Sequence, residues 1–369
     1  MSDIEKQESQ LIQEAVRILN EEYEESQDFN ESFDADEPVK VGRLEFPRSK
    51  ALFWLDRGAY YDAQTTWTNE SLQEQHEDCL NLLRENEHIP PFRELADSIA
   101  RQRIVPFVGA GLSQPMDMPL WGAAMRRLHD RIHNPNDPAI SALIDQGLYL
   151  DAAQVLAEHS QILTENFIRT TYRVQKVVGA AKLLPRITHG CIVTTNFDDA
   201  IEKVFDLEKI HFDGYMHGRQ QNNFFSRLVR GHRCILKLHG DADDPNTYVL
   251  TKAQYLEAYE EPPNFQRPLP KALRQIYISN TLLFLGCSLE QDWTLDLFKK
   301  VKQQSEYEIP HHYAFVPTPD TVQKKQQKEA ALLELNIQPI WYPAEEHEYV
   351  EKLLSLAIDV ADKRILLNT

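Results

Sequence analysis

The sequence predicts an α/β protein built on a Rossmann-like parallel sheet. From residue 90 onward, short apolar runs alternate with segments of helical periodicity. Such runs are typical of strands that are buried on both faces of a parallel sheet, with helices as the covering layers. The predicted strands are 104–108, 191–195, 234–238, 281–285, 312–316 and 337–341. Helical patterns at 197–206, 251–260, 290–304, 320–335 and 345–363 separate most of them.

Two helical regions add to this predicted sheet domain, which spans residues 89–369. Residues 1–88 form an acidic extension with helical patterns at 2–26, 50–62 and 69–85, and with a polar linker at 27–48. This extension fits an oligomerisation arm and a solvated cap on the main domain equally well. Within the sheet domain, an inserted helical subdomain is expected at about 119–185, because that stretch has helical patterns and no strand pattern.

Composition and charge narrow the classes of function. The net charge is −18, and an acidic surface repels phosphate backbones, so no direct DNA binding is expected. The chain has no apolar run that could span a membrane, and its acidic N-terminus does not resemble a signal peptide. The four cysteines form no C-x-x-C pair, so we expect no zinc or other metal site and a reduced, cytoplasmic protein.

A glycine-rich turn follows the first predicted strand. Two glycines in this turn permit a tight bend and let backbone N–H groups approach a phosphate. The candidate phosphate-binding residues are Gly109, Ala110, Gly111 and Ser113. The full G-x-G-x-x-G pattern is absent, because Gln114 stands at its last position. A purely structural turn therefore explains the segment as well as a phosphate site does.

Three further predicted strands end in polar or small residues. Thr195, Asn196 and Asp198 follow the second strand, and the Asn196 amide could orient a water molecule or a ribose hydroxyl. Asp198 also suits the start of a helix.

His239 follows the third strand and can transfer a proton near neutral pH, while Gly286 and Ser288 follow the fourth strand. Carboxyl ends of parallel strands line one crevice, so we expect all four sets to meet there.

This ordered set of segments resembles the sirtuin superfamily over roughly residues 95–345. The matching segments are Gly109–Ser113, Thr194–Asp198, Lys237–Gly240 and Gly286–Ser288. The resemblance implies a sirtuin fold that binds NAD. It implies that the catalytic residues are Asn196 and His239. It implies that the NAD-binding residues are Gly109, Ala110, Gly111, Ser113, Thr195, Asp198, Gly286 and Ser288.

The departures from the family pattern modify the expected chemistry. The chain lacks the two C-x-x-C pairs of protein-deacylating sirtuins, and residues 114–122 lack the Phe-Arg element that follows their glycine loop. Thr195 stands where those proteins have glutamine. This variant resembles bacterial sirtuin-like effectors of anti-phage defence, which hydrolyse NAD to nicotinamide and ADP-ribose. Its overall organisation is most similar to the type that works with a HerA-type hexameric ATPase, which implies that partner and a homo-oligomer.

Three other functions compete with NAD hydrolysis. A deacylase or ADP-ribosyltransferase would use the same NAD site together with a peptide groove. A non-catalytic scaffold that senses NAD or ADP-ribose for a partner ATPase would not need both Asn196 and His239. A nucleic-acid enzyme is disfavoured by the acidic charge and by the lack of a paired-carboxylate metal motif.

Overall fold

The computed structural model describes residues 3–132, 138–219, 224–290, 293–304 and 308–367. The chain divides into two compact units, Met1–Glu77 and Asp78–Thr369. The sequence analysis places the division after residue 88. The two boundaries differ because the helix Glu77–Glu85 belongs, apart from its first residue, to the second unit.

The first unit combines helices with a short hairpin. Its helices are α1 (Asp3–Glu24), α2 (Gln27–Phe33), α3 (Arg48–Leu55) and α4 (Arg57–Gln75). Its strands β1 (Val39–Val41) and β2 (Leu44–Phe46) pair antiparallel. A cluster of buried aromatic rings forms its core, namely Tyr23, Phe29, Phe53 and Tyr60.

The predicted linker at 27–48 is wrong, because α2 and the hairpin occupy most of it. Gly42 adopts a left-handed φ of +66°, which suits the two-residue turn between β1 and β2. The helix boundaries also differ from the prediction: α3 ends where the Asp56 carboxylate accepts a hydrogen bond from the Ala59 amide and so starts α4. The acidic composition of this stretch concealed both features.

The second unit contains the predicted sheet. Its strands are β3 (Ile104–Val108), β4 (Cys191–Thr194), β5 (Gly214–His217), β6 (Cys234–Lys237), β7 (Thr281–Leu285), β8 (His312–Pro317) and β9 (Ile337–Tyr342). They form one sheet in the order β5-β6-β4-β3-β7-β8-β9, and all neighbours are parallel. This arrangement confirms the predicted Rossmann-like α/β class and every predicted strand.

Helices alternate with the strands along the chain of the second unit. They are α5 (Glu77–Glu85), α6 (Ile89–Ala100), α7 (Ala110–Ser113), α8 (Trp121–Arg131), α9 (Pro138–Asp145), α10 (Tyr149–His159), α11 (Gln161–Thr171), α12 (Leu184–Ile187), α13 (Ala200–Leu207), α14 (Phe224–Val229), α15 (Lys252–Tyr259), α16 (Pro268–Ser279), α17 (Trp293–Gln303), α18 (Val322–Glu334) and α19 (Tyr349–Ala361). Residues 291 and 292 of the predicted helix 290–304 lie outside the described residues.

The sheet topology locates the ligand-binding edge. The chain begins the sheet at its centre with β3, builds β4 to β6 on one side, and then β7 to β9 on the other. In open parallel sheets, a crevice forms at the carboxyl ends of the strands where the order reverses. That point lies beside β3, between its neighbours β4 and β7.

The sequence analysis missed β5, which lies at the edge of the sheet. Tyr215 of β5 is 44% exposed, whereas β4 and β6 are buried throughout. A half-exposed edge strand that begins with glycine lacks the apolar run by which the other strands were recognised.

The stretch at 119–185 forms helices α8 to α12, with no strand among its described residues. The first four of these helices share a core that includes Met125, Leu128, Leu156 and Phe167. Across the described parts of both units, no helix combines the length and the apolar character that crossing a bilayer requires.

Candidate functional site

The glycine turn after β3 packs directly on the loop after β7. The Gly109 amide donates to the Leu285 carbonyl at 2.9 Å, and the Gly111 amide donates to the Gly286 carbonyl at 2.9 Å. A Cβ atom at Gly109 would lie 2.5 Å from the Gly286 carbonyl oxygen. Both glycines are therefore needed for close packing of the two loops. Their N–H groups bond protein carbonyls, and of this turn Ala110 and Ser113 are the residues that line the cavity described below.

Replacing Gly286 by alanine is expected to lower the free energy of unfolding by about 3 kcal/mol, from backbone strain and steric overlap together. Gly286 has a φ of +66°, and its added Cβ would lie 2.2 Å from the Leu112 amide nitrogen. Gly147→Ala is the matched control, because Gly147 has a φ of +74° with nothing within 4 Å. We expect the control to lose only about 1 kcal/mol. Urea unfolding measures both losses, and equal values would contradict the close packing of the loops.

Asn196 joins the ends of β3 and β4. Its Nδ2 donates to the Gly109 carbonyl at 3.1 Å and to Ser113 Oγ at 2.9 Å. The backbone amide of Asn196 donates a hydrogen bond to Thr194 Oγ1 at 3.0 Å. Since both side-chain N–H groups are used within the protein, Asn196 would act on a ligand through Oδ1. Thr195 Oγ1 lies 3.5 Å from that oxygen, which is long for a hydrogen bond.

Asp198 is buried at the start of α13. Its Oδ1 accepts a hydrogen bond from the Ala200 amide at 3.1 Å, so the helix-start role considered for it is present. Burial raises the pKa of the Asp198 carboxyl, while a hydrogen bond with Ser113 and the charge of Lys237 partly offset that rise. Its carboxyl oxygens can accept hydrogen bonds from a ribose hydroxyl or a carboxamide N–H, which suits either ligand.

Lys237 is a buried cation beneath the site that the sequence analysis did not select. Its Nζ donates to the Asp198 carbonyl at 2.7 Å, to Glu202 Oε1 at 2.9 Å and to Asp241 Oδ2 at 2.8 Å. Burial lowers the pKa of Lys237, but the charges of Glu202 and Asp241 outweigh burial and raise it overall. The sequence offers one sign of this buried ion group: Lys237 ends an apolar run, and lysine is almost never fully buried without partners.

Glu202, His217 and Asp241 could in principle hold a metal ion, since one ligand atom from each lies within 4.8 Å of the others. However, the Lys237 ammonium already bonds one oxygen of each carboxylate and neutralises part of their charge. We therefore identify none of the three as a metal ligand. All four cysteines are free thiols, and Cys191 and Cys234 are buried in neighbouring strands. The expectation of no zinc stays a prediction.

His239 lies just beyond β6 and is buried. Its Nε2 forms a short hydrogen bond with the Tyr255 hydroxyl. Its ring lies 5.4 Å from the Trp121 ring and 6.0 Å from the Phe197 ring, centroid to centroid. The predicted base is therefore surrounded by aromatic side chains from α8, α15 and the loop after β4.

A cavity lies between these strand ends and the inserted helices. Its lining residues are Ala110, Ser113, Met118, Pro119, Trp121, Tyr172, Thr195, Asn196, Phe197 and Asp198. Half of this set was predicted from the sequence. The aromatic members were not predicted: Trp121 and Tyr172 belong to the insertion, where apolar residues carry no local signal for a ligand site, and Phe197 lies between two predicted polar residues of the segment after β4.

The strand ends that supply the predicted site residues are neighbours in the sheet, as expected. His239 is not itself a cavity-lining residue, but its ring packs against Trp121 and Phe197, which are, and Gly286 packs against the glycine turn. Ser288 is exposed, three residues past the end of β7, and is not one of the cavity-lining residues.

The sequence is similar to those of known proteins. Residues 190–340 match the SIR2-like domain family. The chain is 30% identical over 210 residues to an NAD(+) hydrolase ThsA of Acinetobacter baumannii, covering 56% of this chain and 41% of the relative. It is 25% identical over 228 residues to the NAD(+) hydrolase ThsA of Bacillus cereus, covering 61% and 45%. It is 22% identical over 247 residues to Defense-associated sirtuin 2 of Bacillus subtilis, covering 64% and 23%.

The chain thus spans less than half the length of these curated relatives. The family match begins just before β4 and ends within β9, so it contains the Asn196 and His239 strand ends but not the glycine turn. Sheet order, strand direction and this match together show a Rossmann-like, sirtuin-type α/β fold with additional helical regions.

Proposed function

We propose that this protein is an NAD+ hydrolase that cleaves the nicotinamide–ribose bond and releases nicotinamide and ADP-ribose. One observation carries the proposal: Asn196 is held between the ends of β3 and β4 and lines a cavity with aromatic walls, and His239, from the end of the neighbouring β6, packs against two of those aromatic side chains. The similarity to proteins named NAD(+) hydrolase supports the choice of substrate and reaction.

The reaction depends more on positioning the ribose and the attacking water than on strong acid–base catalysis. Nicotinamide leaves as a neutral molecule with the electrons of the broken bond, so no acid is needed, and the ribose develops oxocarbenium character. Water then adds to the ribose carbon and gives up one proton. The protein must hold the ribose, exclude stray water and orient the attacking molecule.

The proposed roles follow from where each group lies. Asn196 Oδ1 orients the attacking water or the ribose, and His239 accepts the proton, directly or through a ribose hydroxyl. Asp198 and Thr195 bind the ribose or the nicotinamide carboxamide. The turn containing Gly109, Ala110, Gly111 and Ser113 receives the pyrophosphate, and Gly286 and Ser288 border its ribose–phosphate end.

We propose that the enzyme acts in the cytoplasm as an anti-phage effector that depletes NAD and is restrained until a trigger arrives. The name Defense-associated sirtuin 2 of one relative supports the defence role. A HerA-type hexameric ATPase is the proposed partner.

Homo-oligomerisation through the first unit is part of the proposal. Helix α1 exposes large apolar side chains, with Leu11 71%, Ile12 63% and Ile18 51% accessible. Apolar residues exposed together on a helix favour a partner surface.

Incubation with an acyl-lysine peptide separates hydrolysis from protein deacylation and ADP-ribosyl transfer. We expect chromatography to show the same loss of NAD, and equal amounts of nicotinamide and ADP-ribose, with and without the peptide. The peptide should keep its acyl group and gain no ADP-ribose. NAD loss that requires the peptide, or a modified peptide, would contradict hydrolysis. Tight binding of NAD without turnover would instead favour a sensing scaffold.

A further inference from the structure

We infer that Ser113 is a positioning residue for Asn196 and Asp198, and that its hydroxyl does not bind the pyrophosphate. Ser113 belongs to the turn proposed to receive the phosphates, but its side chain bonds the residues proposed to act on the ribose. The inference rests on the proposed NAD hydrolysis and deepens it, because it assigns this hydroxyl to the reacting end of NAD.

The Gly109 carbonyl decides which way the Asn196 amide faces. A carbonyl oxygen only accepts hydrogen bonds, so the side-chain group that contacts it must be the NH2 group. Asn196 Nδ2 lies 3.1 Å from this carbonyl and 2.9 Å from Ser113 Oγ. Asn196 is 7% exposed, and turning its Oδ1 towards the carbonyl would leave two buried acceptors without a donor. Both N–H groups are therefore directed into the protein, and Oδ1 is left for the ligand.

The single proton of the Ser113 hydroxyl is used within the protein. Because Asn196 Nδ2 donates to Ser113 Oγ, the serine oxygen is the acceptor in that bond. Burial raises the pKa of Asp198, and the hydrogen bond from Ser113 opposes that rise, as a bond donated to the ionised carboxyl does. The Ser113 proton is thus given to Asp198. Phosphate oxygens without a proton only accept hydrogen bonds, so Ser113 has no proton left to donate to a pyrophosphate.

The three side chains form one buried chain of hydrogen bonds at the cavity. Ser113 is 2% exposed and Asp198 is 4% exposed, and both line the cavity together with Asn196. The Ala200 amide donates to Asp198 Oδ1 at 3.1 Å and fixes that end of the chain. A backbone carbonyl at one end and a carboxylate at the other set the direction of every proton between them. Ser113 therefore links the position of Asn196 to that of Asp198.

Ser113→Ala tests the inference by separating kcat from binding. We expect kcat for NAD hydrolysis to fall roughly 10-fold, by analogy with the loss of groups that orient metal ligands. KM should stay within about a factor of 3, because the hydroxyl is assigned to two side chains and not to NAD. Ser49→Ala is the matched control, since the buried Ser49 hydroxyl also bonds two side chains, Tyr23 and Asp34, each at 2.6 Å. The control should keep both kcat and KM.

Calorimetric titration with ADP-ribose distinguishes positioning from phosphate binding. ADP-ribose carries both phosphates of NAD and lacks the bond that is cleaved. If Ser113 donated to the pyrophosphate, its loss would remove a charge-assisted hydrogen bond and raise Kd by about 10-fold or more. We expect the Kd of Ser113→Ala to stay within about a factor of 3 of the wild-type value. A larger loss of affinity would overturn the inference.

Hydrogen exchange of the Asn196 side-chain amide needs neither NAD nor activity. In protein labelled with nitrogen-15 on asparagine, the Asn196 signals are identified by NMR from their absence in Asn196→Ala. Both wild-type protons should exchange slowly because both are bonded, and exchange in Ser113→Ala should be about 10-fold faster. Unchanged exchange or an unchanged kcat in Ser113→Ala would overturn the inference. A wild type that hydrolyses no NAD would overturn the proposed function, whereas the exchange result tests the hydrogen-bond chain by itself.

Discussion

His239→Ala and Asn196→Ala are each expected to lower the rate of NAD hydrolysis by a factor of about 100 to 10,000, with the protein still folded. His239 supplies the proton acceptor of the proposed reaction. Asn196 supplies the oxygen that orients the water or ribose, and its Nδ2 also ties the ends of β3 and β4 together through Gly109 and Ser113. The readout is chromatography of nicotinamide and ADP-ribose.

Two further variants separate chemistry from folding in this test. His239→Gln keeps a buried polar side chain but cannot act as a base at neutral pH, so it should be as inactive as the alanine variant. His347→Ala removes an exposed histidine that contacts the Tyr342 hydroxyl at 3.2 Å, and it should keep full activity. Full activity in both Asn196→Ala and His239→Ala would refute the site assignment.

Lys237→Met is expected to lower the free energy of unfolding by about 3 kcal/mol or more, because removing one partner of a buried ion pair leaves an uncompensated charge. The variant would leave Glu202 and Asp241, each with a side chain 21% exposed, facing each other without the cation between them. The Asp198 carbonyl would lose its hydrogen bond as well. Urea unfolding of the full chain measures the loss.

The triple variant Lys237→Met, Glu202→Gln, Asp241→Asn tests the cause. With the carboxylates neutralised, at least half of the lost stability should return, and the remainder reflects the Asp198 carbonyl. Lys252→Met is the matched control, because its pair with Asp151 is exposed to solvent, so its loss should change the free energy of unfolding far less than Lys237→Met does. A triple variant as unstable as the single one would show that the charges are not the reason.

The same ion group predicts how stability depends on pH. Burial raises the pKa of Asp241, but Lys237 outweighs burial and lowers it overall. A carboxyl whose folded pKa is depressed stabilises the fold above its unfolded pKa of about 4, and that contribution is lost as the pH falls through the folded value. Lys237→Met should remove this part of the acid sensitivity.

Most strands of the sheet could be predicted because each has a recognisable local pattern in the sequence. Runs such as Cys191–Thr194 and Thr281–Leu285 are short and apolar, as burial on two faces requires. The half-exposed β5 lacks that pattern, and the hairpin at Val39–Phe46 is hidden in an acidic stretch. The strands that were not predicted are therefore the edge strand β5 and the two strands of the hairpin, none of which is a continuous apolar run.

The residues of the candidate site also divide into those that local sequence patterns predict and those that they do not. Asn196, Ser113 and His239 follow strands, so strand ends alone bring them to one edge of the sheet. Trp121 reaches the histidine from α8, far earlier in the chain, and Tyr255 reaches it from α15, the next α-helix after β6; neither contact corresponds to a sequence motif. The glycine turn is a mixed case, since its glycines were predicted for a phosphate and the structure adds their packing on the loop after β7.

Chromatography of NAD incubated with the purified protein, alone and together with a HerA-type ATPase as the proposed partner, tests the proposed NAD hydrolysis most directly. We expect NAD to disappear, and nicotinamide and ADP-ribose to appear in equal amounts, in at least one of the two conditions. Asn196→Ala should leave NAD intact in both. NAD that remains intact with the wild-type protein in both conditions, or that is consumed equally by Asn196→Ala, would contradict it.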